Sequence, residues 1–139
     1  MRTSAPRFVD AILDWRWTAT LARLALVSAY LLGGIVKLAE WPAAVAEQAH
    51  FGLHPAAVWA ALTIAVELVG PILILSGRLA WLGAGMLGVF TLLAAITANA
   101  FWGMPAGQAR FMATNAFFEH LGLIGGFALL ALLDRARRA

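Results

Sequence analysis

The sequence has 139 residues, 63% of them hydrophobic and 12% charged, with a mean hydropathy of +0.84. A soluble domain is about 45–50% apolar and about 25% charged, and a chain of this size cannot hide such an excess from water, so a soluble globular enzyme and a disordered chain are both excluded. The formal charge of +3 and pI near 10.6 do not point to nucleic acid, because the basic residues sit at the ends of apolar segments rather than among aromatics in a patch.

A spanning helix needs about 20 mostly apolar residues, and four segments meet that length. The first runs from Trp17 to Ala39 and holds two charges, Arg23 and Lys37. Its basic, apolar start has the look of a secretion signal, but no small-x-small site precedes Lys37, so it is read as a retained span. The longest connection follows, Glu40 to His54. Within it Trp41-Pro42 starts a short helix expected to lie in the membrane interface, since proline fits a first helical turn, and Gly52 ends it. His50 and His54 are four apart, but Gly52 interrupts the helix between them and no carboxylate completes a set, so no metal site is expected.

The second span, Pro55 to Ser76, carries one charge, Glu67. A short turn with Arg78 leads to the third, Leu79 to Trp102, which carries none. The fourth, Thr114 to Leu133, is apolar after Glu119 and His120. The expected fold class is therefore all-α, an integral membrane four-helix bundle forming a single domain over residues 1–139. Arg2, Arg7, Arg16, Arg78, Arg135, Arg137 and Arg138 flank one side of it, while Lys37 and Arg110 share the other with Glu40, Glu47 and Glu119. The positive-inside rule then puts both termini in the cytoplasm. Tryptophan prefers the membrane boundary, and this arrangement sends Trp15, Trp17 and Trp81 to the inner one and Trp41, Trp59 and Trp102 to the outer. Small residues let helices approach in lipid. Gly33-Gly34, Ala84 with Gly88, and Gly122 with Gly126 supply such faces, the last as an intramolecular contact or as the face of a homo-oligomer.

Ionisable groups at membrane depth cost about 2.5–3.5 kcal/mol each on insertion scales. If all spans start level at the outer boundary, Glu67 lies roughly 17 Å deep, Arg23 about 24 Å and Lys37 about 3 Å. Arg23 is then the nearer cation, and an interhelical Arg23–Glu67 contact is expected. It either locks two helices together or switches as the carboxylate takes up a proton; alternatively Arg23 snorkels to the inner headgroups. A second polar group, Asn99, Glu119 and His120, gathers nearer the outer surface. Neighbours on a helix diverge by about 100°, so Glu119 and His120 cannot both face the bundle. His120 reads as a proton carrier, a donor to a carbonyl ligand, or a partner for Asn99. Phe101, Trp102 and Phe117, with Phe111 and Phe118 nearby, either line a site for a flat ring or form an aromatic belt. The candidate binding or proton-relay residues are thus Arg23, Lys37, Glu67, Asn99, Glu119 and His120. Bis-histidine haem is not expected, since only His120 lies within a span.

The first two spans read RLALVSAYLLGGIVKL and GLHPAAVWAALTIAVELVGPILILSGRLAWLGA. They resemble the DoxX family of small four-span membrane proteins, whose pattern runs Arg-Leu, Gly-x-x-Lys-Leu, a loop ending Gly-x-Pro, and Glu-x-x-Gly in the second span. Arg23, Gly34, Lys37, Leu38, Pro55, Glu67 and Gly70 stand at matching positions, with His54 as one additional residue before Pro55. The resemblance continues through NAFW and HLGLIGGFALLAL, covering residues 17–133. Asn99 stands where many relatives have histidine and His120 where they have asparagine, an exchange that fits two side chains touching across the bundle.

The family is named for a subunit associated with thiosulfate:quinone oxidoreductase and terminal quinol oxidase. The resemblance implies a multi-pass protein of the bacterial cytoplasmic (inner) membrane, working near the quinone pool. With no cysteine for a thiolate or an iron–sulfur cluster, the chain is expected to hold no intrinsic cofactor. It would bind quinone or pass protons while a soluble or membrane oxidoreductase partner carries the electrons. The competing readings are a non-enzymatic scaffold, docking a partner through its loops and basic tail, and a small transporter, for which Gly70-Pro71 is the one sign of a broken helix.

Overall fold

Four helices in the computed structural model are long and apolar enough to cross a bilayer. Residues 4–139 are described, so Arg2 of the flanking charges lies outside the described residues. The elements in chain order are α1 (Arg7–Leu13), α2 (Thr18–Ala39), α3 (Trp41–His50), α4 (Ala56–Ser76), α5 (Ala80–Ala98), a 3-10 turn (Phe101–Gly103) and α6 (Gln108–Arg138). The protein is an all-α, multi-pass membrane protein whose solvent is largely lipid.

Local chemistry sets the boundaries. Trp41-Pro42 opens α3 as expected, with proline in the first turn. Gly52 follows it with a positive φ of 74°, a conformation that favours glycine. The α4–α5 turn is held by Ser76, whose Oγ donates to the Leu73 carbonyl (3.0 Å) and accepts the Arg78 N–H (3.3 Å). Gly77 and Leu79 on either side of Arg78 both adopt left-handed backbone, which lets α5 double straight back along α4.

Two features differ from the sequence expectation. α6 has 31 residues, starting before Thr114 and ending after Leu133. Hydropathy marks only the stretch that lipid can cover, whereas helix continues until a residue stops it, here Gly107 at the start. α1 was not expected; its seven residues leave Phe8, Ile12 and Leu13 exposed and none buried.

α2, α4, α5 and α6 pack as successive antiparallel neighbours, so both termini lie at one end of the bundle and α3 at the other. The closure between α2 and α6 is lighter and runs through Leu26 against Gly126 and Tyr30 edge-on to Phe127, with ring centroids 5.5 Å apart. The core holds Val27, Tyr30, Ile74, Leu87, Phe127 and Leu130. On α4 the buried Ala60, Ile64, Glu67, Pro71 and Ile74 alternate three and four apart, the seam spacing of a left-handed bundle. Glycines bring the backbones together. A Cβ on Gly70 would stand 2.7 Å from Leu87 Cγ, and one on Gly34 would stand 2.8 Å from Leu68 Cδ2. Of the Gly122–Gly126 pair, Gly126 receives Leu26 while Gly122 faces open space. All six tryptophans stay outside the bundle, each at least 39% exposed, and they group at its two ends as boundary residues do.

Candidate functional site

The centre of the polar arrangement is an ion pair between α2 and α4. Lys37 Nζ donates to both carboxylate oxygens of Glu67, at 2.9 and 3.1 Å. The Glu67 side chain is 7% exposed and that of Lys37 is 20% exposed, so the carboxylate is enclosed and the ammonium half-enclosed. An ammonium has three N–H groups, and two are used here, leaving one to donate towards the more open side.

The Glu67 carboxylate lies beside Gly33 of α2, where a Cβ would meet Oε1 at an ordinary contact distance of 3.4 Å. Pro71 lies one turn further along α4 and has no N–H to give to the Glu67 carbonyl. The helix is therefore weakened at the very residue that carries the charge.

The Arg23–Glu67 contact expected from depth is replaced by Lys37–Glu67, and the helix register shows why. Gly33 lies opposite Glu67, and Arg23 lies opposite Gly77 at the far end of α4, its Nη1 3.9 Å from a Cβ placed there. Arg23 is ten residues from Gly33, or about 15 Å along the axis, beyond the reach of its arm. Lys37 is one turn from Gly33 on the other side, about 6 Å, and its Cα–Cβ bond tilts back towards the α2 N-terminus and so towards Glu67. The depth estimate failed because the spans do not start level. α4 carries eleven residues before Glu67, while α2 ends six after Gly33, so α4 protrudes by roughly 7.5 Å past α2. α3, which joins the two spans, packs against α4.

The second polar group does not join the first. Asn99 caps the end of α5, its N–H bonded to the Ala95 carbonyl at 3.0 Å. His120 Nδ1 meets the Ala116 carbonyl of its own helix at 2.6 Å, and no Asn99–His120 hydrogen bond occurs among the described residues. A carbonyl only accepts, so Nδ1 carries the proton and Nε2 is left available. Glu119 is exposed. Phe101, Trp102, Phe117 and Phe118 pack mainly edge-to-face on one another, with centroids 5.4 to 6.2 Å apart, as a cluster where the 3-10 turn meets α6, with Trp102 and Phe118 exposed.

The structure adds a relay that the sequence reading passed over. Tyr30 and Thr91 meet through their hydroxyls in the core, and Thr91 Oγ1 donates to the Leu87 carbonyl at 2.6 Å. Thr91 has only one hydroxyl hydrogen, so Tyr30 must be the donor to Thr91. Tyr30, Gly34 and Lys37 are spaced four and three apart on one face of α2, a pattern that could have drawn Tyr30 into the site. The direction of the relay predicts an asymmetry. Thr91→Val strands a buried phenol and is expected to cost about 1–3 kcal/mol. Tyr30→Phe leaves Thr91 with its Leu87 bond and is expected to cost about 0.6 kcal/mol. Unfolding in mixed micelles measures both, and equal losses would reverse or abolish the assigned direction.

The DoxX family model matches residues 18–100, which span α2 to the end of α5 and include both partners of the ion pair. The chain belongs to the DoxX family. The matched region holds Arg23, Lys37, Glu67 and Asn99 of the candidate residues, while Glu119 and His120 lie past it in α6. No curated protein and no solved structure matches the chain.

Proposed function

We propose that this DoxX-family protein is a bacterial inner-membrane subunit of quinone-linked redox chemistry, in which Lys37 and Glu67 form the polar element that answers a quinone head group or the oxidoreductase beside it. The observation that carries this reading is the ion pair itself, a charged pair between two spans with one lysine N–H unused. Ionisable groups inside a membrane are costly, and bundle packing does not need one here, since glycine contacts already hold α2 to α4. The free N–H suits a carbonyl oxygen, and a quinone offers two. The chain's part is to bind and to hold or release a proton at Glu67; electrons belong to the partner. The basic groups Arg7, Arg16, Arg78, Arg135, Arg137 and Arg138 at the end with both termini support a cytoplasmic location for that end.

A second reading, a scaffold without quinone binding, draws on the aromatic rings, which pack on one another, and on His120, whose Nδ1 is satisfied within its own helix. Titration of the lipid-reconstituted protein with a short-chain quinone, followed by tryptophan fluorescence, separates the two. The expected result is saturable quenching in wild type that weakens in the Lys37→Met/Glu67→Met double variant and persists in His120→Ala. Linear quenching identical in all three means that the ring only partitions into lipid, and the scaffold reading then replaces the quinone one.

A further inference from the structure

At the end of the bundle that carries the termini, the outer surface between α5 and α6 forms a shallow groove lined by Trp81, Ala128, Ala131, Leu132, Arg135 and Arg138. The five α6 residues recur at three- and four-residue spacing and so make one stripe along the helix. The stripe changes character along its length. Ala128, Ala131 and Leu132 are apolar, and the two arginines follow them in the last two turns of α6. Trp81, in the first turn of α5 and 46% exposed, stands beside the change as a boundary residue does.

We infer that this groove is a binding site for one anionic glycerophospholipid, with an acyl chain laid along the alanines and the phosphate held between Arg135 and Arg138. The reasoning is complementarity along a line. A phospholipid is apolar over its chain and negative at one end, in the same order and direction as the stripe. Arginine suits the phosphate because its planar fork donates two parallel N–H bonds.

One acid lies close by, and its placement helps the site. Asp134 is buried on the inner side of α6, 8% exposed, and Arg138 Nη2 stands 2.8 Å from its Oδ2, as an ion pair off the line of a hydrogen bond. That contact involves one guanidinium nitrogen, and the Arg138 side chain remains 55% exposed. Arg135 has no such partner among the described ion pairs. The groove therefore keeps a net positive charge, with the single carboxylate turned away from the lipid.

The test is native mass spectrometry of the full chain, delipidated in detergent and offered phosphatidylglycerol or phosphatidylcholine of matched chains. The wild type is expected to retain one phosphatidylglycerol in preference to phosphatidylcholine. Arg135→Ala/Arg138→Ala is expected to lose roughly thirtyfold of that preference, about fivefold for each cation near a lipid phosphate. Arg110→Ala, a cation at the opposite end, is expected to change nothing. Ala128→Phe, which fills the floor with both arginines intact, is expected to abolish retention. Equal retention of the two lipids in wild type overturns the site. So does a double variant that keeps the preference, which would make the charge effect diffuse. An Ala128→Phe variant that binds phosphatidylglycerol normally, or displacement of the lipid by inorganic phosphate alone, would reassign the arginines to a soluble anion and overturn the phospholipid reading.

Discussion

Replacing Lys37 alone with methionine is expected to destabilise the protein by about 3–5 kcal/mol, whereas replacing Lys37 and Glu67 together with methionine is expected to return most of that loss. The single change strips both hydrogen bonds from a carboxylate that is 7% exposed and far from either end of α4, so it has no water to turn to. The double change puts two flexible apolar side chains where a desolvated pair had been, a replacement that buried ion pairs commonly tolerate. Glu67→Met alone is expected to cost less than Lys37→Met. Lys37 is near the end of α2 and already 20% exposed, so its arm can turn outward and reach the headgroups. The penalty of Lys37→Met is also expected to shrink as the pH falls, because protonation removes the unpaired charge. Reversible unfolding in mixed micelles at two pH values measures all of this. A double variant no more stable than Lys37→Met would show that the two residues are not energetically coupled. If the double variant folds as well as wild type and has lost the saturable quinone response, the pair is kept for chemistry and not for stability.

Span count and order were legible because hydropathy in lipid is a strong signal. Each of the four spans in the sequence corresponds to a long apolar helix, and the α3 proline and Gly52 were readable as local punctuation. The partner of Glu67 was not legible. Arg23 and Lys37 lie on the same face of α2, so periodicity could not choose between them. The choice rested on depth, and depth depends on how far α4 protrudes past α2, which follows from how the two helices pack against each other. That is a tertiary fact with no local signature. The family pattern placed Gly34 three residues before Lys37 and Gly70 three after Glu67, but a pattern gives co-occurrence rather than contact. The His120–Asn99 exchange invited a contact for the same reason, and the geometry instead turns the His120 ring to the Ala116 carbonyl of its own helix, while Asn99 is bound to its helix through its backbone N–H alone. Phe101, Trp102, Phe117 and Phe118 pack together without Phe111, and whether such residues line a space or fill it is a matter of packing that no spacing reveals.

The second large effect is expected at a glycine that the sequence reading did not single out. Gly83→Ala is expected to destabilise the bundle by about 2–3 kcal/mol, the upper range for an overpacked core. A Cβ at Gly83 would stand 2.6 Å from the Gly70 carbonyl oxygen and 3.0 Å from both Leu73 Cβ and Ile74 Cγ1. The nearest of these is backbone, which cannot rotate away, so α4 and α5 must separate. The short Gly77-Arg78-Leu79 turn leaves them little freedom to slide past one another instead. Gly34→Ala is expected to cost less, about 1 kcal/mol, because its two closest contacts, Leu68 Cδ2 at 2.8 Å and Cγ at 2.9 Å, belong to a side chain that can rotate and not to backbone. Gly85→Ala meets nothing within 4 Å and is expected to be neutral, or to gain up to about 0.5–1 kcal/mol from helix propensity. The three variants unfolded side by side give a ranking, and Gly83→Ala behaving like Gly85→Ala would mean that α4 and α5 are further apart than described. Helices in lipid have no hydrophobic drive towards each other, so the loss of one close backbone approach cannot be offset by burying more apolar surface. Gly34→Ala carries one more expectation. Its Cβ would also lie 3.2 Å from Glu67 Cβ, so it moves the carboxylate relative to Lys37. It should therefore weaken the quinone response out of proportion to its small effect on stability, whereas Gly83→Ala should lower both together.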